Sequence, residues 1–537
     1  MDKDQVRALS ENERFSRRNF VKGAALVGGV AALMGVAGCA PAADDTQDNG
    51  ASDESGGSQT TPRTIVETLE CDVLVAGVGI AGLVAAVQAG ENNLKVIALE
   101  KQGVVGGNGQ FTEGVFAVDS PLQKEQGIEV DRSYIMHKEL QVSQWITGGE
   151  QWTVFLDNSG DNIQWLLDQG CKFSAVSDGE GVAEYPVIHF WQNKKAAEGC
   201  FPFLQEKADS YGVEIRTSTP FDGLILENGV VVGAYAKNES GEDIQINAKA
   251  VILATGSYSG NEEYCRERGW SLDGVTLDST IYNADGIRAA INEAGARSFV
   301  PYATFNATNH LGNFYYQDMF TYHAMSNPGD ALFVNENAAR FIYETYAEEN
   351  YMVQCVPNLT QKKIFSVFDR ATMEKWANND ALYPIEGYTP MDLDAIDNST
   401  DPALAVAGSI EELASKAGLD AAKLQATIDR YNENCTLGID RDFGKTSEHL
   451  LPITTAPFYA AHITASPGVM IGGVETNIFS QVVDILKNPI EGLYAVGVDG
   501  CMLYRNIYTF DTACAGANAN NINSARVAAN HIAGKVA

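Results

Sequence analysis

Residues 71–100 read CDVLVAGVGIAGLVAAVQAGENNLKVIALE. An apolar run, Val73 to Ala76, enters the turn Gly77-Val78-Gly79-Ile80-Ala81-Gly82, and an alanine-rich pattern of helical character leaves it. A second apolar run, Lys95 to Leu99, ends at Glu100. That order predicts one βαβ unit. Gly77 permits the tight turn, Gly79 lets backbone N–H groups approach a pyrophosphate, and Gly82 lets the helix pack close to the strand. The phosphates would rest on the helix N-terminus, at Ile80 and Ala81, where unpaired N–H groups and the helix dipole favour negative charge. Glu100 stands 18 residues after Gly82, where a carboxylate can accept hydrogen bonds from an adenosine ribose. A bare GxGxxG is weak, because glycine-rich turns are common. Strand, turn, helix, strand and acid in series are far more specific.

A second glycine-rich loop follows at once, Lys101-Gln102-Gly103-Val104-Val105-Gly106-Gly107-Asn108-Gly109. Close backbone approach to a large planar cofactor would explain Gly106, Gly107, Asn108 and Gly109, with Lys101 beside them. A plain surface loop is the alternative.

The N-terminal residues read as an address. Ser16-Arg17-Arg18-Asn19-Phe20-Val21-Lys22 is a twin-arginine export pattern, followed by a mildly apolar stretch from Gly23 to Gly38. That stretch is too short and too weakly apolar to span a bilayer. Val36-Ala37-Gly38-Cys39 resembles a lipoprotein cleavage site, which would make Cys39 a lipid anchor on the extracytoplasmic face. Ordinary cleavage after a small residue such as Ala42 is the other reading. Residues 1–39 are therefore expected to be a signal peptide, and residues 40–62, rich in Asp, Ser, Gly and Thr, a flexible tether. A twin-arginine route moves folded proteins, which suits a chain that takes up its cofactor before export.

About 475 residues remain, enough for two domains. Lys plus Arg number 37 against 70 for Asp plus Glu, a formal net charge of -33. This argues against nucleic acid or anionic lipid as a partner. The nine cysteines include no CxxC or CxxCH pattern, so no c-type haem is encoded, and neither a zinc site nor a 4Fe4S cluster has its usual spacing. A cluster drawn from distant cysteines stays open at this point.

Further along, Glu139 to Gly170 has helical spacing, with Trp165, Leu166 and Leu167 expected in the core. Strands are expected at Val213–Thr217, Gly223–Glu227, Val230–Ala236 and Asp243–Asn247, with Asn228-Gly229 as a hairpin turn. A separate buried strand is expected at Ala250–Leu253, ending in Ala254-Thr255-Gly256, and a final helix at Asn521–Gly534. No second complete GxGxxG unit appears, which argues against a separate NAD(P)H domain.

The chain resembles the flavoprotein subunits of the fumarate reductase and succinate dehydrogenase family, whose wider membership includes urocanate reductases and 3-ketosteroid dehydrogenases. The likeness rests on the GVGIAG turn with Glu100, Gly106-Gly107-Asn108, Ala254-Thr255-Gly256 and Ala284-Asp285-Gly286. It continues through Leu332–Asn335 with Arg340-Phe341 and Glu344, Gly472-Gly473-Val474, and Gly492–Gly497. The resemblance implies an α/β fold, a GR2-type Rossmann-like FAD-binding domain (63–297 and 469–537) with an inserted α+β capping domain (298–468). It implies non-covalent FAD held also by Ala254, Thr255, Gly256, Asp285 and Asp499, the last near the ribityl chain. Reduced flavin in that family delivers a hydride to one carbon of an electron-poor double bond, hydrogen-bond donors stabilise the developing charge, and an acid protonates the other carbon.

Two histidines and an arginine of fumarate reductases are not in register here: Phe299–Thr304 and Pro467–Ile471 hold no histidine, and the arginine position after Phe368-Asp369 falls near Met373. A dicarboxylate taken out of water needs cationic clamps. The expected acceptor is therefore uncharged or bulky: an unsaturated lactone, enone or aryl-acrylate. The expected catalytic residues are Tyr504, Arg505, Tyr302 and Glu344, with Tyr343 and Tyr508 nearby and His310 and His323 read as structural. Without a haem domain or a covalent-FMN threonine motif, electrons would come from a membrane-bound multihaem cytochrome. This combination is similar to exported respiratory flavoreductases of anaerobic gut actinobacteria, among them reductases of cardiac glycosides. A steroid dehydrogenase running in the oxidative direction, a fumarate-type reductase and a non-enzymatic flavin electron-transfer module are the rival readings.

Overall fold

Strand β1 (Ile65–Ala76) starts half-exposed and becomes wholly buried over its last four residues. The computed structural model in which it lies describes residues 63–179, 182–267, 282–298, 318–321, 323–324, 329–346, 360–378, 389–464, 471–504, 508–509 and 511–536. Helix α1 (Ile80–Glu91) follows, buried along its whole length except at Glu91, and β2 (Val96–Leu99) returns parallel to β1. The βαβ unit is thus where the glycine spacing puts it.

Next come β3 (Gly114–Phe116), α2 (Arg132–Val142), α3 (Gly149–Asp168), β4 (Phe173–Ser177) and β5 (Ile188–Trp191). The continuous helical spacing from Glu139 to Gly170 is broken in the structure between Val142 and Gly149. Gln144 and Trp145 there adopt φ of 55° and 59°, a left-handed conformation that no helix tolerates, and Gly148-Gly149 restarts the chain. Trp165 and Leu166 are core residues, and Leu167 packs against them half-buried. Strands β3, β5 and β4 form a small antiparallel sheet.

Strands β6 (Glu214–Arg216), β7 (Phe221–Glu227), β8 (Val230–Lys237) and β9 (Asp243–Leu253) complete the N-terminal half. Asn228 and Gly229 both have positive φ, 52° and 84°, the geometry of a two-residue hairpin turn. The two strands read at Asp243–Asn247 and Ala250–Leu253 are one. Its first half pairs with β8 and its second with β15 (Pro489–Ala495), while β1 runs beside both halves. Change of partner, not of strand, explains the switch from alternating to continuous apolar pattern.

The main sheet has the order β14–β15–β9–β1–β2–β6, with β14 at Gln481–Val483, and β8 and β7 added alongside β9. Val73, Val75, Ala250 and Ile252 enter the core beneath α1, α3 and the last helix. Leu74, Ala76, Val251 and Leu253 enter the core on the other face, with Ile287 of α4 (Asp285–Ala294). A second, antiparallel sheet of order β10–β11–β13–β12 forms within residues 332–463, from β10 (Leu332–Asn335), β11 (Ile364–Asp369), β12 (Leu404–Ala407) and β13 (Phe458–Ile463). Helices α5 (Arg370–Ala377), α6 (Ile410–Ala417) and α7 (Ala421–Leu437) accompany it. The last helix, α8 (Gly516–Ile532), begins five residues before the predicted Asn521 and packs on α1.

Candidate active site

The turn into α1 shows three glycines used in three ways. Gly77 has φ of 98°, and a side chain on it would lie 2.3 Å from the Ala254 carbonyl oxygen. A Cβ on Gly82 would lie 1.8 Å from the Gly77 carbonyl oxygen. Both are demanded by the protein's own packing. Gly79 is not: its φ is -70°, and a Cβ there would meet only the Gly106 carbonyl oxygen, at 3.8 Å. Its smallness leaves space above the first turn of α1, where no side chain caps the N–H groups. Ile80 and Ala81 are buried in that turn.

The second glycine loop closes this space. Gly79 and Gly106 are bridged backbone to backbone, the Gly106 N–H donates to the Val78 carbonyl at 3.1 Å, and Gly106 and Gly107 have φ of 141° and 52°. Gly109 lies against Ile80, where a Cβ would come within 2.7 Å. Asn108 accepts a hydrogen bond from Tyr282. Glu100, 7% exposed at the end of β2, accepts from the N–H groups of Val78 at 3.0 Å and Gln102 at 2.9 Å. Lys101 pairs with Asp285 at 2.9 Å, joining this loop to the first turn of α4. N–H groups without a side-chain cap, a glycine cradle and an acid at the neighbouring strand end fit an adenine dinucleotide pyrophosphate.

Asp499 is fully buried. Its carboxylate accepts from the Thr255 N–H at 2.5 Å and the Thr255 hydroxyl at 3.1 Å, while the same hydroxyl accepts from the Gly286 N–H at 2.9 Å. Burial pushes its carboxyl up to about 7, against N–H bonds from Thr255 and Gly256. These bonds join the Ala254-Thr255-Gly256 turn to the segment after β15 and hold Asp499 at the strand end where the ribityl chain is expected.

Aromatic and hydroxyl groups gather at the N-terminus of α8. Tyr504 is 1% exposed, its ring edge-on to Trp152 at 5.7 Å and tilted on Tyr508 at 4.7 Å. Trp152 donates to the Leu503 carbonyl at 3.1 Å, and the Ala517 N–H donates to the Tyr508 hydroxyl at 3.3 Å. The Tyr504 hydroxyl has no hydrogen-bond partner among the described residues, and a Cβ on Gly516 would lie 2.1 Å from it. Burial pushes both phenols well above their ordinary range. Beside them is a group that sequence reasoning passed over. Glu139 of α2 is 3% exposed, and the hydroxyls of Thr509 and Thr512 both donate to its Oε1. Burial raises its carboxyl to about 7 against those two bonds.

The other described candidates belong to the smaller sheet and its helices. Glu344 is fully buried beside β10, bidentate with Arg340 at 2.9 Å on each oxygen, 3.3 Å from the Lys445 ammonium, and accepting from the Phe333 N–H at 3.0 Å. Arg340 also pairs with Asp440 at 2.9 Å, and burial pulls the Lys445 ammonium down against the attraction of Glu344. This is a fastening of the smaller sheet, with every neighbour supplied by the chain itself. Tyr343 packs half-buried against the same sheet. Met373, at the expected arginine position, is wholly buried in that core, and Arg370 is turned to Asp397 at 2.6 Å and Glu374 at 3.0 Å. His323 stacks on Trp376 at 5.2 Å. Tyr302, Arg505, His310 and Cys39 lie outside the described residues. Among the described residues seven cysteines are free thiols, and no group of three or more His, Cys, Asp or Glu side chains is arranged to hold a metal ion.

Residues 72–510 match the FAD binding domain family. A vinyl phenol reductase of Lactiplantibacillus plantarum is 32% identical over 465 residues, 81% of this chain and 91% of that protein. The digoxin reductase of Eggerthella lenta is 26% identical over 567 residues, 96% of each chain. Among solved structures, the open conformation of a flavocytochrome c3 fumarate reductase has the same fold, with a TM-score of 0.63 at 22% identity over 88% of this chain and 79% of that one. The chain belongs to the FAD binding domain family and is an FAD-dependent oxidoreductase.

Proposed function

We propose that this protein is an exported FAD-dependent reductase of an activated carbon–carbon double bond in an uncharged or bulky acceptor. The observation that carries the reading is how the described cations of the smaller sheet are paired. The buried arginine beside β10 is neutralised by Glu344 and Asp440, Arg370 by Asp397 and Glu374, and Met373 fills the core where an acid-donating arginine would stand. A dicarboxylate needs charge that these groups no longer have to give. The names of two relatives, a reductase of vinyl phenol and a reductase of digoxin, agree with such an acceptor.

FAD, when bound, supplies the hydride. Gly79, Ile80, Ala81, Gly106 and Gly107 would hold its pyrophosphate and Glu100 its ribose. The N-terminus of α8 offers a positive dipole end to charge that develops on the acceptor. Tyr504, with a buried hydroxyl unpaired among the described residues, donates to that acceptor and gives up the proton that the second carbon takes. Arg505, next in the chain, and Tyr302 are proposed to orient the activating carbonyl or aryl group. Residues 298–468 are proposed as a cap that excludes water, Ser16–Lys22 as the export address, and a membrane cytochrome as the electron donor, in keeping with the flavocytochrome fold neighbour.

The test uses purified holoprotein reduced anaerobically with a viologen dye. Flavin reoxidation is followed on adding fumarate, urocanate, a cinnamate, a vinyl phenol, an enone steroid and a cardenolide in turn. Rapid reoxidation by an uncharged acceptor, slowed by about 10²-fold or more in Tyr504→Phe, is expected. Reoxidation by fumarate alone would overturn the reading. Flavin bound without turnover on any acceptor would favour an electron-transfer module.

A further inference from the structure

The glycine cradle over α1 is bordered by a closed circuit of contacts. Gly79 is bridged to Gly106 backbone to backbone, and Asn108, further along the same loop, accepts a hydrogen bond from the Tyr282 hydroxyl. The Tyr282 ring lies against Gly256, where a Cβ would come within 3.6 Å of it. From Gly256 the chain runs back through Thr255 to Ala254, whose N–H donates to the Ala76 carbonyl at 2.8 Å and whose carbonyl oxygen lies 2.3 Å from where a side chain on Gly77 would begin. Gly77, Val78 and Gly79 complete the ring. Within this circuit only the link from Tyr282 to Asn108 is a side-chain hydrogen bond. The other links are covalent chain, backbone pairing or packing.

The two partners are held from behind. The Tyr282 carbonyl accepts from the Gly260 N–H at 2.9 Å, and the Asn261 side chain donates to the Asn283 carbonyl at 3.1 Å. Lys101 pairs with Asp285 at 2.9 Å, so the loop and the turn that carry the partners meet at a second point. Asn108 is exposed and Tyr282 half-buried, which sets their bond at the rim of the cradle. Burial and the Glu100 carboxylate raise the phenol above its ordinary value against a backbone bond from Asn108, so it stays protonated and remains a donor.

A dinucleotide is narrow at its pyrophosphate and broad at both ends. A ring around that waist cannot be slipped over either end without opening. We propose that Tyr282 is a clasp for FAD: its bond to Asn108 closes over the pyrophosphate, and both loading and release require that bond to break. This rests on the pyrophosphate lying over the first turn of α1. The same bond is closed before loading and after it, so it contributes equally to both states. Tyr282 therefore sets how fast the cofactor exchanges, not how tightly it is held.

The test is Tyr282→Phe, starting from the holoprotein. Phenylalanine keeps the ring against Gly256 and removes only the hydroxyl, so the fold is expected to persist. Exchange of bound FAD for excess isotopically labelled FAD, read by mass spectrometry, gives the release rate, and the flavin retained at equilibrium on serial dilution gives Kd. Release about fivefold faster is expected, with Kd unchanged because uptake quickens equally. Adding Tyr282→Phe to Asn108→Ala is expected to quicken release no further than Asn108→Ala alone, whereas additive effects would mean that the two residues do not act through one bond and would overturn the proposal. Release at the wild-type rate in Tyr282→Phe would overturn it too, as would a Kd weakened in step with release, which marks a residue that holds flavin or supports the fold. Gly79→Ala checks the placement separately. If that variant keeps the wild-type Kd, the pyrophosphate does not lie over α1 and the premise fails, whatever Tyr282 does.

Discussion

Glu139 and Glu344 are both glutamates taken almost wholly out of water, and their surroundings are opposite. Glu344 is met by a bidentate guanidinium, an ammonium and a backbone N–H. Glu139 is met by two neutral hydroxyls. In the first setting, attraction in a low dielectric offsets the cost of burying charge, and the side chain becomes a fastening. In the second, two hydroxyl bonds offset that cost only in part, and burial raises the carboxyl to about 7. Family likeness points to Glu344 as a catalytic residue, yet it is Glu139 that is buried without an ion pair among the described residues.

The largest effect should come from breaking the paired glutamate. Glu344→Ala leaves Arg340 with Asp440 and the buried Lys445 ammonium with no carboxylate in ion-pair distance among the described residues, a loss of about 3–5 kcal/mol. A large fall in melting temperature is expected, with turnover per flavin-loaded molecule retained. A proportionate loss of turnover in still-folded enzyme would return Glu344 to the chemistry.

Next is the pH dependence of the unpaired glutamate. The folded-state value near 7 lies above its free value of 4.5, so its contribution to stability is fully present below about 4.5 and is lost as pH rises through about 7. The difference amounts to about 3 kcal/mol. Melting temperatures of wild type minus those of Glu139→Gln should therefore decline across that window. Subtraction removes the parallel contribution of Asp499, whose carboxyl titrates in the same range. A flat difference would mean that Glu139 is already ionised when folded.

A smaller effect is expected at Gly79. Gly79→Ala should leave the flavin-free protein as stable as wild type, since its Cβ meets only one atom at ordinary contact distance, and should weaken FAD binding by about tenfold, or 1.4 kcal/mol. Gly82→Ala, with a Cβ 1.8 Å from a carbonyl oxygen, should lose stability whether or not flavin is present. Flavin titration beside thermal melting distinguishes the two. The least effect is expected from Arg370→Ala, whose half-exposed pairs with Asp397 and Glu374 are worth about 1 kcal/mol at most. Its turnover should be unchanged, because Arg370 faces those carboxylates.

The legible parts of this chain are those whose causes are local. The βαβ unit could be read because its glycines and Glu100 meet within 30 residues. The Asn228-Gly229 hairpin was equally plain, since both residues tolerate positive φ. The break after Val142 was hidden because Gln144 and Trp145 do not advertise a left-handed backbone. The union of two strands into β9 was hidden because its partners change halfway along. Glu139 was invisible for the strongest reason: its threonines stand 370 and 373 residues away in sequence. Nothing in the run His137-Lys138-Glu139-Leu140 marks it as different from a solvent-facing helical glutamate. The placement of Asp499 depends likewise on Thr255, 244 residues distant.

The proposed function is reduction of an uncharged activated alkene, argued from Arg340 and Arg370, which among the described residues are already paired with carboxylates. The most direct measurement is the ratio of anaerobic flavin reoxidation rates by a vinyl phenol, an enone or an unsaturated lactone against fumarate, at equal concentration in stopped flow. A ratio well above one for at least one uncharged acceptor is predicted. Fumarate outpacing every uncharged acceptor would contradict the account and would mean that other cations, Arg505 first among them, form the clamp.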